Sequence, residues 1–282
     1  KKFPHTPTNK QNLLLELLSD FTFKNNNNSL FLLKGYAGTG KTTTISTFVN
    51  SLSLAGKKAV LLAPTGRAAK VIAVYSKRPA FTVHKKIYFP KKQTNGSVDF
   101  VLQPNKHRNT VFIVDEASMI PDGRQNQKLF ESGSLLDDLM MFVYSGHNCK
   151  LLLIGDTAQL PPVHLQLSPD LDGDKLSLNY NKEVVRLELD EVVRQAEDSG
   201  ILVNATLLRE QLQGDFYDNF KFDVSSYQDI VRLIDGHEIQ EAIDESYSQN
   251  GKEETAIIVR SNKRANLYNL NIRERILFLE NE

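Results

Sequence analysis

An eight-residue segment at residues 35–42, with the sequence GYAGTGKT, constrains this chain more than any other. It follows the apolar run 30–33, which predicts a buried strand, and precedes residues 43–54, which predict a helix. Glycines let such a loop turn tightly and point its N–H groups at an anion, and the helix N-terminus adds the positive end of its dipole. A plain glycine-rich turn would not explain why Lys41 and Thr42 open the helix. The layout therefore predicts a phosphate-binding loop and a nucleoside triphosphate ligand.

The residue types in the loop suit this chemistry. The Lys41 ammonium can reach the terminal phosphates, and the Thr42 hydroxyl can coordinate Mg²⁺. The residues predicted to bind nucleotide are Gly35, Ala37, Gly38, Thr39, Gly40, Lys41, Thr42 and Thr43. A P-loop kinase or GTPase is an alternative. A GTPase, however, would carry a guanine-reading Asn-Lys-x-Asp, and the Asn262-Lys263 pair is followed by Arg-Ala. The expected cofactors are ATP and Mg²⁺.

Composition bounds the class of protein. The chain has 282 residues, enough for one large or two medium domains. No run approaches the roughly 20 apolar residues of a membrane helix, and the N-terminus lacks an apolar signal core. We therefore expect a cytoplasmic protein without a membrane partner. The single cysteine, Cys149, excludes an internal disulfide and is expected to be a packing residue. Because the chain lacks an initial Met and ends in a charged helical pattern, we expect a C-terminally truncated piece of a longer protein.

Charge is unevenly distributed although the net charge is zero. Residues 57–108 contain twelve Lys and Arg residues and a single acid, Asp99. Such a segment predicts a face that binds a polyanion. Ordinary solvated lysines are an equally open explanation.

Helical and strand patterns alternate along the chain, which predicts an α/β fold with a mostly parallel sheet and helices on both faces. Strands are predicted at 30–34, 59–63, 111–114, 150–154, 184–189 and 256–260. Helices are predicted at 12–23, 43–54, 66–75, 135–144, 199–213, 237–249 and 262–278. Residues 165–181 are predicted to be a loop, and Asn95-Gly96 within the polar segment 91–108 predicts a β-hairpin.

Two strand ends carry polar groups that suit phosphate chemistry. The strand 111–114 runs into Asp115-Glu116, which places both acids at the sheet edge beside the phosphate-binding loop. Asp115 is predicted to hold Mg²⁺, and Glu116 to orient or deprotonate the attacking water. Alone, the pair would be read equally well as solvated acids. The strand 150–154 runs into GDTAQLPPV, in which Gln159 is placed to sense the γ-phosphate.

These segments together resemble motifs I, II and III of superfamily 1 DNA helicases, as GYAGTGKT, VDEAS and GDTAQLPPV. The Gln-Leu-Pro-Pro-Val ending is similar to the RecD/Dda branch, which moves 5′ to 3′ on single-stranded DNA. The resemblance implies a RecA-like fold and an ATP-dependent DNA helicase or translocase. Its catalytic residues would be Lys41, Glu116, Gln159 and Arg194. It also implies single-stranded DNA as a partner, and subunits of a recombination or repair complex as further ones.

Weaker matches extend the resemblance along the chain. Ala63-Pro64-Thr65-Gly66-Arg67-Ala68-Ala69 and Thr82-Val83-His84 resemble DNA-contacting motifs, which implies DNA contacts by Pro64, Thr65, Arg67, Thr82 and His84. Gln11 resembles the glutamine that reads adenine. Val193-Arg194-Gln195 resembles motif IV, whose arginine approaches the γ-phosphate. A salt bridge from Arg194 to Glu191 or Asp190 is its alternative, and His84 is read equally well as a surface residue.

The resemblance also divides the chain. It implies a first RecA-like motor domain at 1–195, with a strand-separating hairpin insertion at 87–110, and the N-terminal part of a second motor domain at 196–282. Three aromatic residues of the basic segment, Phe81, Tyr88 and Phe89, are candidates for stacking on bases, with core packing as the alternative. The family's arginine finger is not found before Glu282, so we expect this chain to bind ATP but to turn it over poorly.

A second function stays open. RecD-like chains also occur as subunits of an exonuclease complex. The chain is therefore also interpreted as a nucleotide-switched DNA-binding subunit of such a complex, without unwinding activity of its own.

Overall fold

The computed structural model describes residues 6–24, 26–92, 98–120, 134–156, 159, 171–191, 199–212 and 221–278. The chain divides into two compact units, Lys1–Gln195 and Ala196–Glu282. The division falls where the resemblance placed a domain boundary. The nature of the second unit as part of a motor domain stays a prediction.

The first unit alternates helices and strands. In chain order its elements are α1 (Asn9–Phe23), β1 (Ser29–Gly35), α2 (Lys41–Leu54), β2 (Lys58–Ala63), α3 (Gly66–Ser76), β3 (Ala80–Thr82), α4 (Val83–Ile87), β4 (Tyr88–Lys92), β5 (Val98–Leu102), β6 (Thr110–Val114), a 3₁₀ turn (Ala117–Met119), α5 (Leu135–Ser145), β7 (Lys150–Gly155), α6 (Gly173–Tyr180) and β8 (Glu183–Leu189).

Six of these strands form one parallel sheet in the order β3-β2-β6-β7-β1-β8. Leu33 of β1 pairs with Ile154 of β7, and Val114 of β6 pairs with Leu153. The strands that precede the phosphate-binding loop, the acidic pair and the glycine–aspartate pair are therefore neighbours that end at the same level. The predicted α/β fold with a parallel sheet is confirmed.

The core lies on both faces of this sheet because successive strand side chains point to opposite sides. Leu30 and Leu32 of β1 face one cluster, while Phe31 and Leu33 face the other. The first cluster is completed by α4, α5 and α6, and the second by α1, α2 and α3. Full burial of each such side chain contributes about 1.5–3 kcal/mol. The uninterrupted apolar runs of β1, β6 and β7 are those of strands buried on both faces.

Beside the main sheet lies an antiparallel pair formed by β4 and β5. Tyr88 pairs with Leu102 and Lys92 pairs with Val98, as the predicted hairpin requires. The Asn95-Gly96 turn itself lies outside the described residues.

Two predicted segments are wrong. Part of the loop predicted at 165–181 is helix α6, which is stabilised by an N-cap from Asp172 and by burial of Leu176. The strand predicted at 256–260 does not form: these residues have no regular secondary structure in the described part of the chain. A short apolar run such as 256–259 forms a strand only when a partner strand accepts its hydrogen bonds.

In the described residues of the second unit there are three helices, α7 (Gly200–Leu212), α8 (Gly236–Glu254) and α9 (Asn262–Arg275). Helix α8 contains non-helical backbone at Gly251. The Asp229 carboxylate holds the start of α7 by accepting from the Gly200 N–H at 2.8 Å. The Asn204 side chain ties the same helix to the backbone of Asp223.

Candidate functional site

The phosphate-binding loop connects the end of β1 at Gly35 with the start of α2 at Lys41. Gly38 and Gly40 have φ values of 83° and 81°, in the left-handed region that favours glycine. Gly40 is also the N-cap of α2, and a Cβ added there would lie 2.4 Å from Nε2 of Gln11. The backbone angle therefore favours glycine at position 40, and a side chain there would also displace the Gln11 amide.

Gln11 lies against this loop from the first turn of α1. Its Nε2 donates to the Thr39 carbonyl at 3.1 Å, and its Oε1 accepts from the Thr8 N–H at 3.2 Å. The Thr8 hydroxyl accepts from the Gln11 N–H in return, which completes a capping box. Gln11 is buried. The structure thus places Gln11 beside the loop; its contact with adenine stays a prediction.

The Lys41 side chain folds back over the loop that precedes it. Its ammonium donates to the carbonyl oxygens of Gly35 and, at 2.8 Å, of Tyr36. The buried carboxylate of Asp156 lies 3.9 Å away. Lys41 is therefore held at the mouth of the loop by oxygen atoms of the kind that a phosphate would supply.

The acidic pair lies where β6 ends. The Asp115 N–H donates to Leu62 of the neighbouring strand, and Oδ1 of Asp115 accepts from the Glu116 N–H at 3.0 Å. Glu116 has a φ of 55°, an uncommon angle for a residue with a side chain. Such backbone strain clusters at functional sites, where surrounding contacts maintain it.

Both carboxyl groups have raised pKa values. Burial raises the pKa of Asp115, against the lowering effects of the Glu116 N–H and of the Lys41 charge. Burial also raises the pKa of Glu116, and the neighbouring Asp115 charge raises it further. Lys41 and a hydrogen bond from the Gln159 side chain act in the opposite direction. Glu116 is thus a carboxylate whose basicity is above the ordinary.

The structure brings Gln159 to Glu116. The Gln159 side chain lies near enough to Glu116 to lower the pKa of its carboxyl group, and the Gln159 N–H donates to the Asp156 carbonyl at 3.4 Å. The other residues of the 157–163 segment lie outside the described residues. Sequence reasoning gave Asp156 no role, although it directly follows β7 as Asp115 follows β6. That position at the end of a buried strand was the signal that identifies it.

Thr42 and Asp115 line one cavity together with Lys41, Ile45 and Tyr75. Hydroxyl and carboxylate oxygens are the ligands that Mg²⁺ prefers, and this ion commonly takes only one or two protein groups beside phosphates and waters. The described residues contain no cluster of three or more His, Cys, Asp or Glu able to hold a metal. The residues present fit a magnesium ion shared with a nucleotide.

The residues predicted to contact DNA follow two adjacent strands. Ala63 of β2 pairs with Thr82 of β3, so Pro64-Thr65 and Thr82-His84 emerge side by side from the same sheet edge as the phosphate-binding loop. The Thr65 hydroxyl caps α3 by accepting from Ala68, and the Thr82 hydroxyl caps α4 by accepting from Lys85, each at 3.2 Å.

The two basic residues predicted to contact DNA, Arg67 and His84, differ in exposure. Arg67 is exposed and His84 is partly buried. Burial lowers the pKa of the His84 imidazole, which therefore favours its neutral form. The DNA contacts of these residues stay predictions.

The aromatic residues of the basic segment divide into two groups. Tyr88 is buried in the core, as the packing interpretation required, while Phe81 and Phe89 remain exposed. The Lys86 ammonium lies 5.4 Å from the centre of the Phe81 ring. Of the three predicted candidates, Phe81 and Phe89 keep a face available for stacking.

Arg194, predicted to approach the γ-phosphate, lies outside the described residues. One of its alternative partners is engaged elsewhere, because Asp190 forms a salt bridge with Lys10 of α1. Among the described helices, none has the length and apolar character needed to cross a membrane.

Comparison with known families finds a match to the AAA domain over residues 22–221. Among curated relatives, the ATP-dependent RecD2 DNA helicase of Deinococcus radiodurans is 32% identical over 174 residues, which cover 61% of this chain and 21% of that protein. The ATP-dependent DNA helicase Dda of Enterobacteria phage T4 is 31% identical over 134 residues, covering 46% of this chain and 28% of that protein. The chain thus spans less than a third of the length of either relative.

A solved structure shares the fold. The Pif1 helicase from Bacteroides, in complex with ADP-AlF3 and single-stranded DNA, aligns with a TM-score of 0.50 and 17% identity. The alignment covers 99% of this chain and 58% of that one. Together with the parallel sheet and the phosphate-binding loop, this likeness identifies the fold as a RecA-like P-loop NTPase fold.

Proposed function

We propose that this chain, which belongs to the AAA domain family and is similar to the RecD2 and Dda helicases, is part of an ATP-dependent DNA helicase of superfamily 1. In this proposal the protein binds single-stranded DNA, moves along it from 5′ to 3′, and separates strands at the expense of ATP. The direction rests on the resemblance of the Gln-Leu-Pro-Pro-Val segment to the RecD/Dda branch.

One observation carries the proposal: two sets of residues that suit nucleotide and DNA contacts share one edge of the sheet. Lys41, Asp115 and Asp156 follow the neighbouring strands β1, β6 and β7. Thr65 follows β2, and Thr82 ends the adjoining strand β3. Ligands of open α/β sheets bind at this carboxyl edge. A nucleotide bound after β1, β6 and β7 and a DNA backbone bound after β2 and β3 would lie side by side along this edge of the sheet.

The chain's own residues provide the functions that hydrolysis needs. The loop N–H groups and Lys41 bind the phosphates, and Lys41 exchanges its carbonyl partners for phosphate oxygens. Glu116, with its raised pKa, orients the attacking water and accepts its proton. Gln159 holds Glu116 before nucleotide binds and then detects the γ-phosphate. Arg194 approaches the same phosphate as the resemblance implies.

Thr42 and Asp115 would hold Mg²⁺, directly or through water. When bound, this ion neutralises and orients the phosphate oxygens. The raised pKa of Asp115 supports this assignment, because a carboxylate that burial destabilises gains most from a cation beside it.

DNA would be held mainly through its backbone. Backbone N–H groups and hydroxyls at helix N-termini contact phosphates without reading sequence. The starts of α3 and α4, capped by Thr65 and Thr82, have this geometry. Arg67 on the exposed side of α3 adds a charge for the same strand.

The proposal is tested by ATP hydrolysis with and without single-stranded DNA, and by displacement of one strand from a duplex with a 5′ single-stranded tail. We expect DNA to stimulate hydrolysis about tenfold or more and the 5′-tailed duplex to be opened in preference to a 3′-tailed one. Hydrolysis that DNA stimulates without strand displacement would instead favour the nucleotide-switched DNA-binding subunit. Both assays use the full-length helicase of this proposal, because this chain by itself is expected to turn ATP over poorly. Absence of any effect of DNA on hydrolysis by that protein would contradict both proposals.

A further inference from the structure

Tyr88 lies at the junction between two functional segments of the first unit. It directly follows α4, which carries His84, and it is the first residue of β4 in the hairpin. Its ring is 5% exposed, and the ring centre lies 6.0 Å from that of His84. One buried side chain therefore contacts both the proposed DNA-binding helix and the base of the hairpin.

The Tyr88 hydroxyl is fixed to a third element. It donates to Oδ2 of Asp138 on α5 across 2.5 Å, and Asp138 is 1% exposed. A hydrogen bond in so apolar a setting is strong and directional, and losing one partner leaves a buried polar group unsatisfied. Helix α5 is itself packed into the core through Leu139 and Phe142. The junction is thus attached to a helix that is packed into the core.

The other strand of the hairpin is held at the same level. The Gln103 N–H donates to the Ile87 carbonyl at 2.8 Å, and the Asn105 side chain donates to the Phe142 carbonyl at 2.8 Å. The hairpin is therefore fixed at its base, while Phe89 and Phe100 further along it are 40% and 38% exposed. A two-stranded hairpin is marginally stable alone, so its orientation depends on such contacts.

From this geometry we propose that the Tyr88–Asp138 hydrogen bond is a positioning contact that couples DNA movement to strand separation. It keeps the β4–β5 hairpin at a fixed angle to α4, so that DNA drawn past His84 is pressed against the hairpin. Without the bond, the hairpin tilts when DNA moves against it, so the movement of DNA no longer separates the strands efficiently. The inference rests on the proposed function, and it assigns Tyr88 and Asp138 no contact with ATP.

The test introduces Tyr88→Phe into the full-length helicase of the proposed function and compares it with wild type, measuring unwinding and ATP hydrolysis on the same protein preparations. We expect unwinding of a tailed duplex to slow about tenfold, whereas hydrolysis on single-stranded DNA stays within about twofold of wild type. Asp138→Asn keeps a side-chain oxygen that can accept the hydrogen bond from the Tyr88 hydroxyl. The Asp138→Asn protein should therefore unwind DNA faster than the Tyr88→Phe protein. A purely structural role would lower both activities together.

Tyr180→Phe is a matched control. The Tyr180 hydroxyl donates to Oδ1 of Asp137 across 2.6 Å, on the same helix α5, but Tyr180 lies on α6 and not in the hairpin. We expect this variant to retain both activities. Unchanged unwinding in Tyr88→Phe, or an equal loss of both activities, would overturn the inference alone. A wild-type protein that does not unwind DNA would overturn the proposed function and this inference together.

Discussion

The side-chain amide of Gln11 donates a hydrogen bond to the Thr39 carbonyl across 3.1 Å, which joins the first helix to the phosphate-binding loop. The other end of the same amide accepts from Thr8. Both polar atoms of this buried side chain are thus paired within the chain, as burial requires. Gln11 therefore supports the loop whether or not it also contacts a nucleotide base.

Replacing Gln11 with Ala should weaken ATP binding. The Thr39 carbonyl loses its partner and the loop loses its lateral support, so we expect the Kd for ATP to rise about tenfold. Titration with a fluorescent nucleotide measures this. Thr8→Ala is the control, because it removes the helix cap, at a cost of about 1 kcal/mol of stability, but leaves the Gln11–Thr39 bond. Equal losses of affinity in the two variants would contradict a direct role for the bond.

Substitution of Gly40 by Ala should weaken ATP binding by about tenfold or more and lower Tm. The φ of 81° strains any L-residue by about 1–2 kcal/mol, and the new Cβ would displace Nε2 of Gln11. Gly56→Ala separates the two effects, because Gly56 has a φ of 69° but nothing lies within 4 Å of an added Cβ. We expect Gly56→Ala to lose stability only. Thermal unfolding and nucleotide titration of both variants decide the point.

Replacing Glu116 with Gln should stop hydrolysis and spare binding. Loss of a general base costs on the order of 100-fold or more in kcat, while the Kd for ATP should stay within about twofold, since Glu116 does not lie in the phosphate-binding loop. Retained hydrolysis would remove Glu116 from the role of base.

The pH dependence of hydrolysis tests the environment of the same residue. Glu116 acts only when deprotonated and its pKa is raised, so activity should fall with decreasing pH earlier than an ordinary glutamate would require. Gln159 donates the hydrogen bond that opposes this shift, so Gln159→Ala should move the acid limb of the profile to higher pH. A limb that does not move would argue against the Gln159–Glu116 bond in solution.

The ionised Asp115 carboxylate should lower the stability of the nucleotide-free protein at neutral pH. Its pKa is raised mainly by burial, so the folded state binds its proton more tightly than the unfolded state does. The penalty is fully present above the folded pKa and disappears as pH falls below the unfolded pKa. Asp115→Asn should therefore raise Tm at pH 7.5, by an amount that shrinks on acidification.

Asp172→Asn should change Tm at neutral pH in the opposite direction to Asp115→Asn. Backbone N–H groups, that of Lys175 first, hold the pKa of Asp172 below its usual range. The ionised Asp172 carboxylate therefore stabilises the folded state. This stabilisation is present above the pKa of the unfolded state and is lost as pH falls through the pKa of the folded state. This variant should lower Tm at pH 7.5. A decrease in Tm for Asp115→Asn as well would mean that attraction to Lys41 outweighs burial.

Local patterns predicted much of this molecule. The strands β1, β6 and β7 are continuous apolar runs bounded by polar residues, and each needs no information from elsewhere in the chain. The positions of Lys41 and Asp115 at one sheet edge follow from that reading, because parallel strands place their carboxyl ends together.

Contacts between residues far apart in sequence could not be predicted from local patterns. Helix α6 contains Gly173 and Asn179, which are weak helix formers, and is stabilised by the burial of Leu176 in the core. The segment 256–260 was predicted to be a strand because residues 256–259 are all apolar, but it has no partner strand among the described residues and forms no regular structure there. The bonds from Gln11 to Thr39 and from Tyr88 to Asp138 join residues far apart in sequence. Only the folded chain identifies such pairs.

The basic segment provides a test of where DNA lies. Arg67 is exposed just beyond the carboxyl end of β2, and Lys58 is exposed at the amino end of the same strand, so the two charges lie at opposite edges of the sheet. Each phosphate contact changes the slope of log K against log salt concentration by about one. We expect Arg67→Ala to weaken binding of single-stranded DNA and to reduce that slope by about one, and Lys58→Ala to change neither. Fluorescence anisotropy at several salt concentrations measures both quantities. Equal effects of the two substitutions would mean that the twelve basic residues at 57–108 act only through their summed charge.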